Sequence, residues 1–169
     1  MRHILICCLT LILLYSCKKE DGTGARVDIY MLKSFTTSIN PISNLPVLSI
    51  SNAVLADTPL IADKDIAFYT IATTTFKLRN DIKPVIKNYG ADKAFAITVN
   101  SQPVYFGKFH PGYLSSMTVG VATIDPILYT NNELEMKFVL VNGNTDLQKL
   151  DKRNDSQIIN ALKAAGKIR

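Results

Sequence analysis

The chain has 169 residues, a net charge of +5, three cysteines and two histidines. Its basic residues are scattered among acidic and polar neighbours without interleaved aromatic side chains, and this pattern argues against nucleic-acid binding. Two cysteines and one histidine fall within the first eight residues, so the rest of the chain lacks the clustered Cys and His of zinc, copper or haem sites. We therefore expect no cofactor and no metal. A carboxylate calcium site is the alternative, but the residues that follow the alternating Asn142, Asn144 and Asp146 lack the glycine and late glutamate of an EF-hand, and the segment is interpreted as a turn.

The first sixteen residues have the pattern of a secretory signal. A polar start, Arg2 and His3, precedes an apolar run from Ile4 to Leu14. At about 1.5 Å of rise per residue, this run is too short to span a bilayer, which needs about 20 residues. We therefore expect residues 1–16 to be removed from the mature protein.

The end of this segment resembles the bacterial lipobox. In Leu14-Tyr15-Ser16-Cys17 an aliphatic residue stands three positions before the cysteine and a small residue directly before it. The resemblance implies cleavage before Cys17, a diacylglyceryl group on its sulfur and acylation of the new amino terminus. Two or three acyl chains, at roughly 0.8 kcal/mol per methylene, form an essentially permanent anchor. The alternative is an ordinary cleaved signal with an incidental cysteine.

Residues 17–25 are expected to form a lipidated, flexible tether, because charged residues and glycines without large apolar groups cannot bury surface. The start Cys-Lys-Lys-Glu-Asp is similar to the short acidic export signal of surface-exposed lipoproteins in the Bacteroidetes. The resemblance implies a lipoprotein of the outer membrane on the cell surface, and the periplasmic face is the alternative. The membrane is then a partner through the diacylglyceryl-cysteine and its palmitate-like chains.

Residues 26–169 are long enough for a single domain with its own core. Strand-forming residues predict a first strand over Val27–Leu32. The stretch Ser34–Ile61 contains three prolines among many Ser, Asn and Thr residues, so we expect it to be irregular. Within it, alternation predicts one short strand over Val47–Asn52.

β-Branched and aromatic residues over Asp65–Leu78 predict one long strand or a tight pair of strands. The pattern then changes to a helical period. Its apolar face consists of Ile82, Val85, Ile86 and Tyr89. Asn80 or Asp81 is the expected cap, Pro84 lies in the first turn and Gly90 ends the helix, which should have about two and a half turns.

A β-hairpin over Ala94–Phe109 is the clearest local pattern, with its turn at Asn100–Gln102. A Pro-Gly pair predicts a type II turn over His110–Tyr113. Further strands are expected over Leu114–Ile124 and Leu134–Val141. In the second of these, alternate apolar residues should share one face of the sheet.

A helix closes the chain. Asp155 or Ser156 is its expected cap, and Gly166 its end. Its apolar stripe consists of Ile158, Ile159, Leu162 and Ala165. Strands dominate over the two separated helices, so the expected fold class is α+β, with a mostly antiparallel sheet and two helices packed on one face.

The most site-like segment is 105–116, where aromatic and hydroxyl side chains concentrate and two glycines allow close turns. Aromatic side chains stack on sugars and dominate the energetics of protein interfaces, and loops held by a rigid hairpin commonly carry them. The expected ligand-binding residues, for a protein or glycan partner, are Tyr105, Phe109, His110, Tyr113 and Ser115. The alternative is that Phe106 and Phe109 belong to the core, with Tyr113 covering it.

Catalysis has less support in the sequence, and no catalytic residue is expected. A serine hydrolase could be assembled from His110, Ser115 or Ser116, and Asp125, but neither serine lies in a Gly-x-Ser-x-Gly or Ser-x-x-Lys motif. Glu133 and Glu135 would share one face of a strand at a spacing that glycosidases use, which is also the pattern of a solvated strand face.

These observations predict a lipid-anchored protein of the cell envelope whose domain is a non-catalytic module that binds a ligand or a protein. Two alternatives stay open. One is an extracellular hydrolase acting on glycan, peptide or ester. The other is a structural subunit of an envelope complex, which a large exposed apolar patch would favour.

Overall fold

The computed structural model describes residues 24–42, 44–130, 132–141 and 143–169. The predicted signal, Cys17 and most of the predicted tether lie outside the described residues.

The described chain forms eight strands, three helices and one short 3-10 turn. The strands are β1 Val27–Ile42, β2 Leu45–Leu55, β3 Ile66–Thr70, β4 Thr75–Leu78, β5 Ala94–Val99, β6 Gln102–Phe109, β7 Ala122–Ile124 and β8 Glu133–Glu135. The helices are α1 Lys83–Ile86, α2 Thr145–Leu150 and α3 Ser156–Ala164, and the 3-10 turn spans Asp63–Asp65.

The strands form two sheets. The first has five strands in the order β2-β1-β5-β6-β7, and the second has three in the order β3-β4-β8. Each adjacent pair is antiparallel except β6 and β7, which are parallel. The expected class, α+β with a mostly antiparallel sheet, is confirmed.

The main core lies between one face of the first sheet, the second sheet and α3. Alternation along β5 directs Phe95 and Ile97 into this core, while Ala94 and Ala96 belong to a cluster on the other face. Both predicted helices contribute to the same core, through Ile86 of α1 and through Ile158 and Leu162 of α3. The core is thus a two-layer arrangement of sheet against sheet and helix.

The first sheet curls until its two edges meet. β1 and β2 extend beyond the sheet as a long two-stranded ribbon, with register shifts between Leu32 and Thr36. Val47 of β2 bridges Val119, which lies just before β7, and the Leu48 amide donates to the Val119 carbonyl at 2.8 Å. Because β2 and β7 are opposite edges of the sheet, this contact gives the sheet a concave face.

The prediction that Ser34–Ile61 is irregular was wrong. This stretch continues β1 to Ile42 and contains all of β2, so the predicted short strand over Val47–Asn52 is only part of a longer one. Pro41 and Pro46 lie opposite each other at the end of the ribbon. There they remove few ladder hydrogen bonds, so prolines are tolerated.

The tight pair over Asp65–Leu78 is confirmed as β3 and β4, and the hairpin over Ala94–Phe109 as β5 and β6. Asn100 and Ser101 both adopt positive φ angles, of 51° and 64°, which suits a two-residue hairpin turn. The next turn was predicted one residue too early, because the Leu114 amide donates to the Pro111 carbonyl.

Two predicted strands are much shorter than expected. Of Leu114–Ile124 only β7 is a strand, because β7 is parallel to β6 and the preceding residues form the connection that a parallel pair requires. Of Leu134–Val141 only the beginning lies in β8. After Met136 the chain leaves the second sheet, and Lys137 bridges Thr123 of the first.

The helices match the predictions unequally. α3 is confirmed, with the Asp155 side chain accepting from the Gln157 amide and Gly166 at φ 67° after its end. α1 has a single turn rather than two and a half. Its N-cap is Ile82 rather than the predicted Asn80 or Asp81, although the Asp81 side chain accepts from the Lys83 amide at 2.8 Å. α2, capped by Asn144, was not predicted.

Substitution of Gly120 tests the closure of the first sheet. Gly120 has φ 96°, and an added Cβ would overlap Val47 Cγ1 and lie 2.8 Å from the Leu48 carbonyl oxygen. Strain and overlap together should make Gly120→Ala less stable by about 2–4 kcal/mol in chemical denaturation.

Gly143→Ala is the matched control. Gly143 also has a positive φ, of 79°, but nothing lies within 4 Å of its added Cβ. Gly143→Ala should therefore lower the free energy of unfolding only through its backbone strain, by about 1 kcal/mol. Equal losses in the two variants would contradict a tight contact between Gly120 and the ribbon.

Candidate functional site

The structure separates the five residues predicted to bind a ligand. Tyr105 and Phe109 are buried, with 8% and 1% exposure. The Tyr105 hydroxyl donates to Met136 Sδ at 2.6 Å, and Phe109 packs edge-on against Phe95. Alternation along β6 directs both side chains into the main core, so their assignment to a binding surface was wrong.

The other three predicted residues lie nearer the surface. His110 is half-buried, and its Nδ1 lies 3.1 Å from the Thr118 hydroxyl. Ser115 is exposed, and Tyr113 is 72% exposed, so Tyr113 does not cover the core as the alternative required. Only Tyr113 and Ser115 of the predicted set remain fully available to a partner.

The residues imagined as a serine hydrolase are not arranged as one. The His110 ring lies within hydrogen-bond distance of the Thr118 hydroxyl. Asp125 Oδ1 instead accepts from the amides of Ile127, at 2.9 Å, and Leu128, at 3.3 Å. Asp125 therefore shapes a turn. A nucleophile, base and acid in hydrogen-bonded series, which this chemistry requires, do not occur among these side chains in the described structure.

Glu133 and Glu135 form ordinary surface ion pairs. Glu133 lies 3.3 Å from the Lys77 ammonium, and Glu135 lies 3.9 Å from that of Lys137. The cavity beside them measures about 30 Å³, which is the volume of a single water and far too small for a sugar ring. Within the described ranges, no group of three or more His, Cys, Asp or Glu side chains could hold a metal ion.

A partly buried polar network joins the C-terminal segment to the second sheet. Arg153 pairs with both carboxylate oxygens of Asp151, at 2.8 and 2.7 Å, and donates to the Met136 carbonyl at 2.9 Å. The Tyr69 hydroxyl donates to the Arg153 carbonyl at 3.0 Å. Burial raises the pKa of Tyr69 and of Tyr105, so both hydroxyls stay neutral and this network is a structural one.

A different feature of the surface is the absence of charge from three segments. Residues 34–56, 111–124 and 138–145 contain no Asp, Glu, Lys or Arg. Each segment contributes a valine to a third apolar cluster: Val47, Val119 and Val139. The fold thus brings three separate uncharged segments together, and we call the exposed part of these segments the uncharged surface.

Large apolar side chains are exposed on this surface. Ile39 is 65% exposed, Tyr113 72%, Met117 75% and Leu140 48%. Charge depletion together with exposed aromatic and Met side chains distinguishes the centres of protein interfaces from the rest of a protein surface. The arrangement is therefore suited to binding.

Of these three segments, only residues 111–124 overlap the binding segment predicted from the sequence, residues 105–116. The missing charges were visible in the sequence, but residues 34–56 were interpreted as an irregular stretch. That the segments are neighbours depends on the bridge between Val47 and Val119, for which no local pattern exists.

Comparison with protein-family models, with curated proteins and with solved structures finds no match. In the part of the chain that the structure describes, no helix is both long and apolar enough to cross a membrane.

The Asp151–Arg153 pair predicts a pH dependence of stability. Burial would raise the pKa of Asp151, but the hydrogen bonds and charge of Arg153 outweigh it and lower that pKa. A carboxylate with a lowered folded-state pKa stabilises the fold above its unfolded pKa, and this stabilisation is lost as pH falls below about 4. Asp151→Asn should be less stable by about 1–3 kcal/mol at pH 7.

Urea denaturation from pH 7 to pH 2 measures this effect. The difference between wild type and Asp151→Asn should shrink as the pH falls. The control is Asp146→Asn, because Asp146 pairs with Lys149 on an exposed helix surface and should change stability by less than about 0.5 kcal/mol. A constant difference at every pH would contradict the account.

Proposed function

We propose that this protein is a lipid-anchored module of the cell envelope that binds a partner protein through its uncharged surface and carries out no catalysis. The observation that carries the proposal is the convergence of three charge-free segments in the cluster of Val47, Val119 and Val139. The anchor is inferred from the lipobox that ends in Cys17.

The composition of the uncharged surface favours a protein over a glycan. Glycan sites depend on aromatic rings that stack on sugars, and Tyr113 is the one aromatic residue with high exposure among the large hydrophobics of the described surface. The other large apolar side chains exposed there, including Ile39, Met117 and Leu140, are not aromatic, and they lie among exposed Ser, Thr and Asn residues. Aliphatic and Met side chains gain most from burial against a complementary apolar surface.

The position of the anchor is compatible with this use. The Arg26 amide donates to Asn100 Oδ1, so the chain enters the fold beside the turn between β5 and β6. The loop that carries Tyr113 follows Phe109, at the opposite end of β6. At about 3.3 Å per residue the two ends of β6 are about 23 Å apart, so a membrane at the entry point leaves Tyr113 accessible.

A second candidate function is a permanent subunit of an envelope complex. The exposed Ile39, Tyr113 and Met117 favour it, since such side chains are typical of surfaces that stay covered. It differs from the first proposal in the lifetime of the complex rather than in the surface used. No contact in the described structure favours a hydrolase.

The anchor has its own test. Cys17→Ser should abolish incorporation of labelled palmitate and release the protein from membranes, because the sulfur that carries the diacylglyceryl group is lost. If residues 18–21 are an export signal, protease should digest the wild-type domain on intact cells and spare a variant with alanine at these four positions. If the wild type incorporates no labelled palmitate, the anchor is contradicted. If protease digests neither the wild type nor the alanine variant on intact cells, surface exposure is contradicted.

The binding surface is tested by inserting charge into it. In mild detergent extracts the wild type should migrate together with a partner protein, as a complex larger than the processed chain alone in the same detergent. Tyr113→Lys and Met117→Lys should each weaken that complex at least about tenfold, because a buried unpaired charge opposes association. Val85→Lys is the matched control, since Val85 is an apolar residue of α1, 54% exposed and outside the uncharged surface.

Both test variants should keep the melting temperature of the wild type, because the replaced side chains are mostly exposed. A wild type that migrates as a single chain, or Lys variants that associate as well as the wild type does, would overturn the proposed surface.

A further inference from the structure

The face of the first sheet opposite the main core is an incompletely covered apolar surface. Its floor consists of Leu32, Ala94 and Ala96, which are buried. Around the floor lie side chains that are only partly buried: Phe35, Ile50, Ala53, Leu55 and Phe106. They come from β1, β2 and β6, so the curl of the sheet makes them line one groove. The β1 and β2 residues among them belong to the uncharged segment 34–56, while Tyr113 and Met117 are not among the lining residues.

One cation lies at this groove. Lys108 is paired with Ala94 across β5 and β6, so it shares the concave face with Ala94 and Phe106. Its ammonium lies 5.9 Å from the centroid of the Phe35 ring. No salt bridge recorded within the described ranges includes Lys108.

We infer that this groove binds a fatty acid, with the acyl chain along the apolar residues and the carboxylate at Lys108. An acyl chain matches the apolar lining, and an anionic head matches the ammonium of Lys108 beside the Phe35 ring. The groove and the proposed partner surface share segment 34–56, but the test variants differ: Tyr113 and Met117 test the partner surface, and Lys108 and Ile50 test the groove.

The geometry favours an acyl chain over a peptide. β1, β5 and β6, which form the floor and one wall of the groove, are each paired on both sides. They therefore present side chains to the groove, while their backbone amides and carbonyls are used within the sheet. A peptide laid over them would bury its own N–H and C=O groups without partners, at a cost that an acyl chain does not meet.

The length of the groove is suitable as well. Leu48 and Ile50 lie on the same strand face, and directly opposed pairs place Ile39 beside Leu48, so the apolar strip continues from Leu55 toward Ile39. Residues 48–55 of β2 span about 23 Å at about 3.3 Å per residue. An acyl chain that fills half of a bilayer core is about 15 Å long. One full acyl chain therefore fits along the strip.

The test is displacement of a fluorescent fatty acid from the full chain carrying Cys17→Ser, by palmitate and, in parallel, by neutral hexadecanol. Palmitate should displace the probe more strongly. Lys108→Ala should weaken palmitate about tenfold, the size expected for one charge-assisted contact, and leave hexadecanol unchanged. Lys163→Ala, which removes an exposed lysine of α3, is the control for net charge and should behave as the wild type does.

A second pair of variants tests the groove itself. Ile50→Glu places a carboxylate in the apolar lining and should abolish binding of both palmitate and hexadecanol. Val54→Glu makes the same change on β2 at a residue that is 51% exposed and belongs to none of the apolar clusters, and it should bind normally. Thermal melts check that both variants fold. If Ile50→Glu does not fold, Leu55→Ser takes its place as the variant that should weaken binding of both ligands.

Three results would overturn the inference: equal effects of Lys108→Ala and Lys163→Ala, equal affinity for palmitate and hexadecanol, or unchanged binding in folded Ile50→Glu. Vesicles of phosphatidylglycerol separate the remaining source of anionic acyl chains. Binding to them as tight as binding to palmitate would show a two-chain lipid surface as the ligand and would also overturn it.

Discussion

The close approach of Gly120 to the β1–β2 ribbon is the contact on which the rest of the fold depends. A residue with any side chain at this position would overlap Val47, and φ 96° favours glycine. Because the approach is possible, Leu48 hydrogen-bonds to Val119 and the two edges of the first sheet meet. The concave groove and the junction of the three uncharged segments both result from this contact.

Local patterns predicted the elements whose partners are close in sequence. The hairpin of β5 and β6, the pair of β3 and β4 and the capped helix α3 all follow from alternation, turn residues or helical period within a short window. Predictions were wrong where distant partners decide the structure. The prolines at 41 and 46 indicated an irregular stretch, yet they oppose each other at the end of a ribbon that tertiary contacts hold in place.

The candidate site shows the same division. The density of aromatic residues predicted a binding segment over residues 105–116. In the structure β6 directs Tyr105 and Phe109 into the core, while Tyr113 lies on the surface. The uncharged surface needed a different signal, the absence of charge in three segments far apart in the chain. Charge is costly to bury, so a chain that concentrates its charges elsewhere leaves that region suited to contact with another protein.

Site-specific photocrosslinking in intact cells tests the central claim most directly. A photoreactive amino acid would replace Met117 or Leu140 on the uncharged surface, and Lys64 or Lys163 on charged parts of the described structure. The account predicts one discrete crosslinked partner protein from both uncharged positions and none from the lysine positions. Crosslinks of equal yield and identity from all four positions, or from the lysine positions alone, would contradict it.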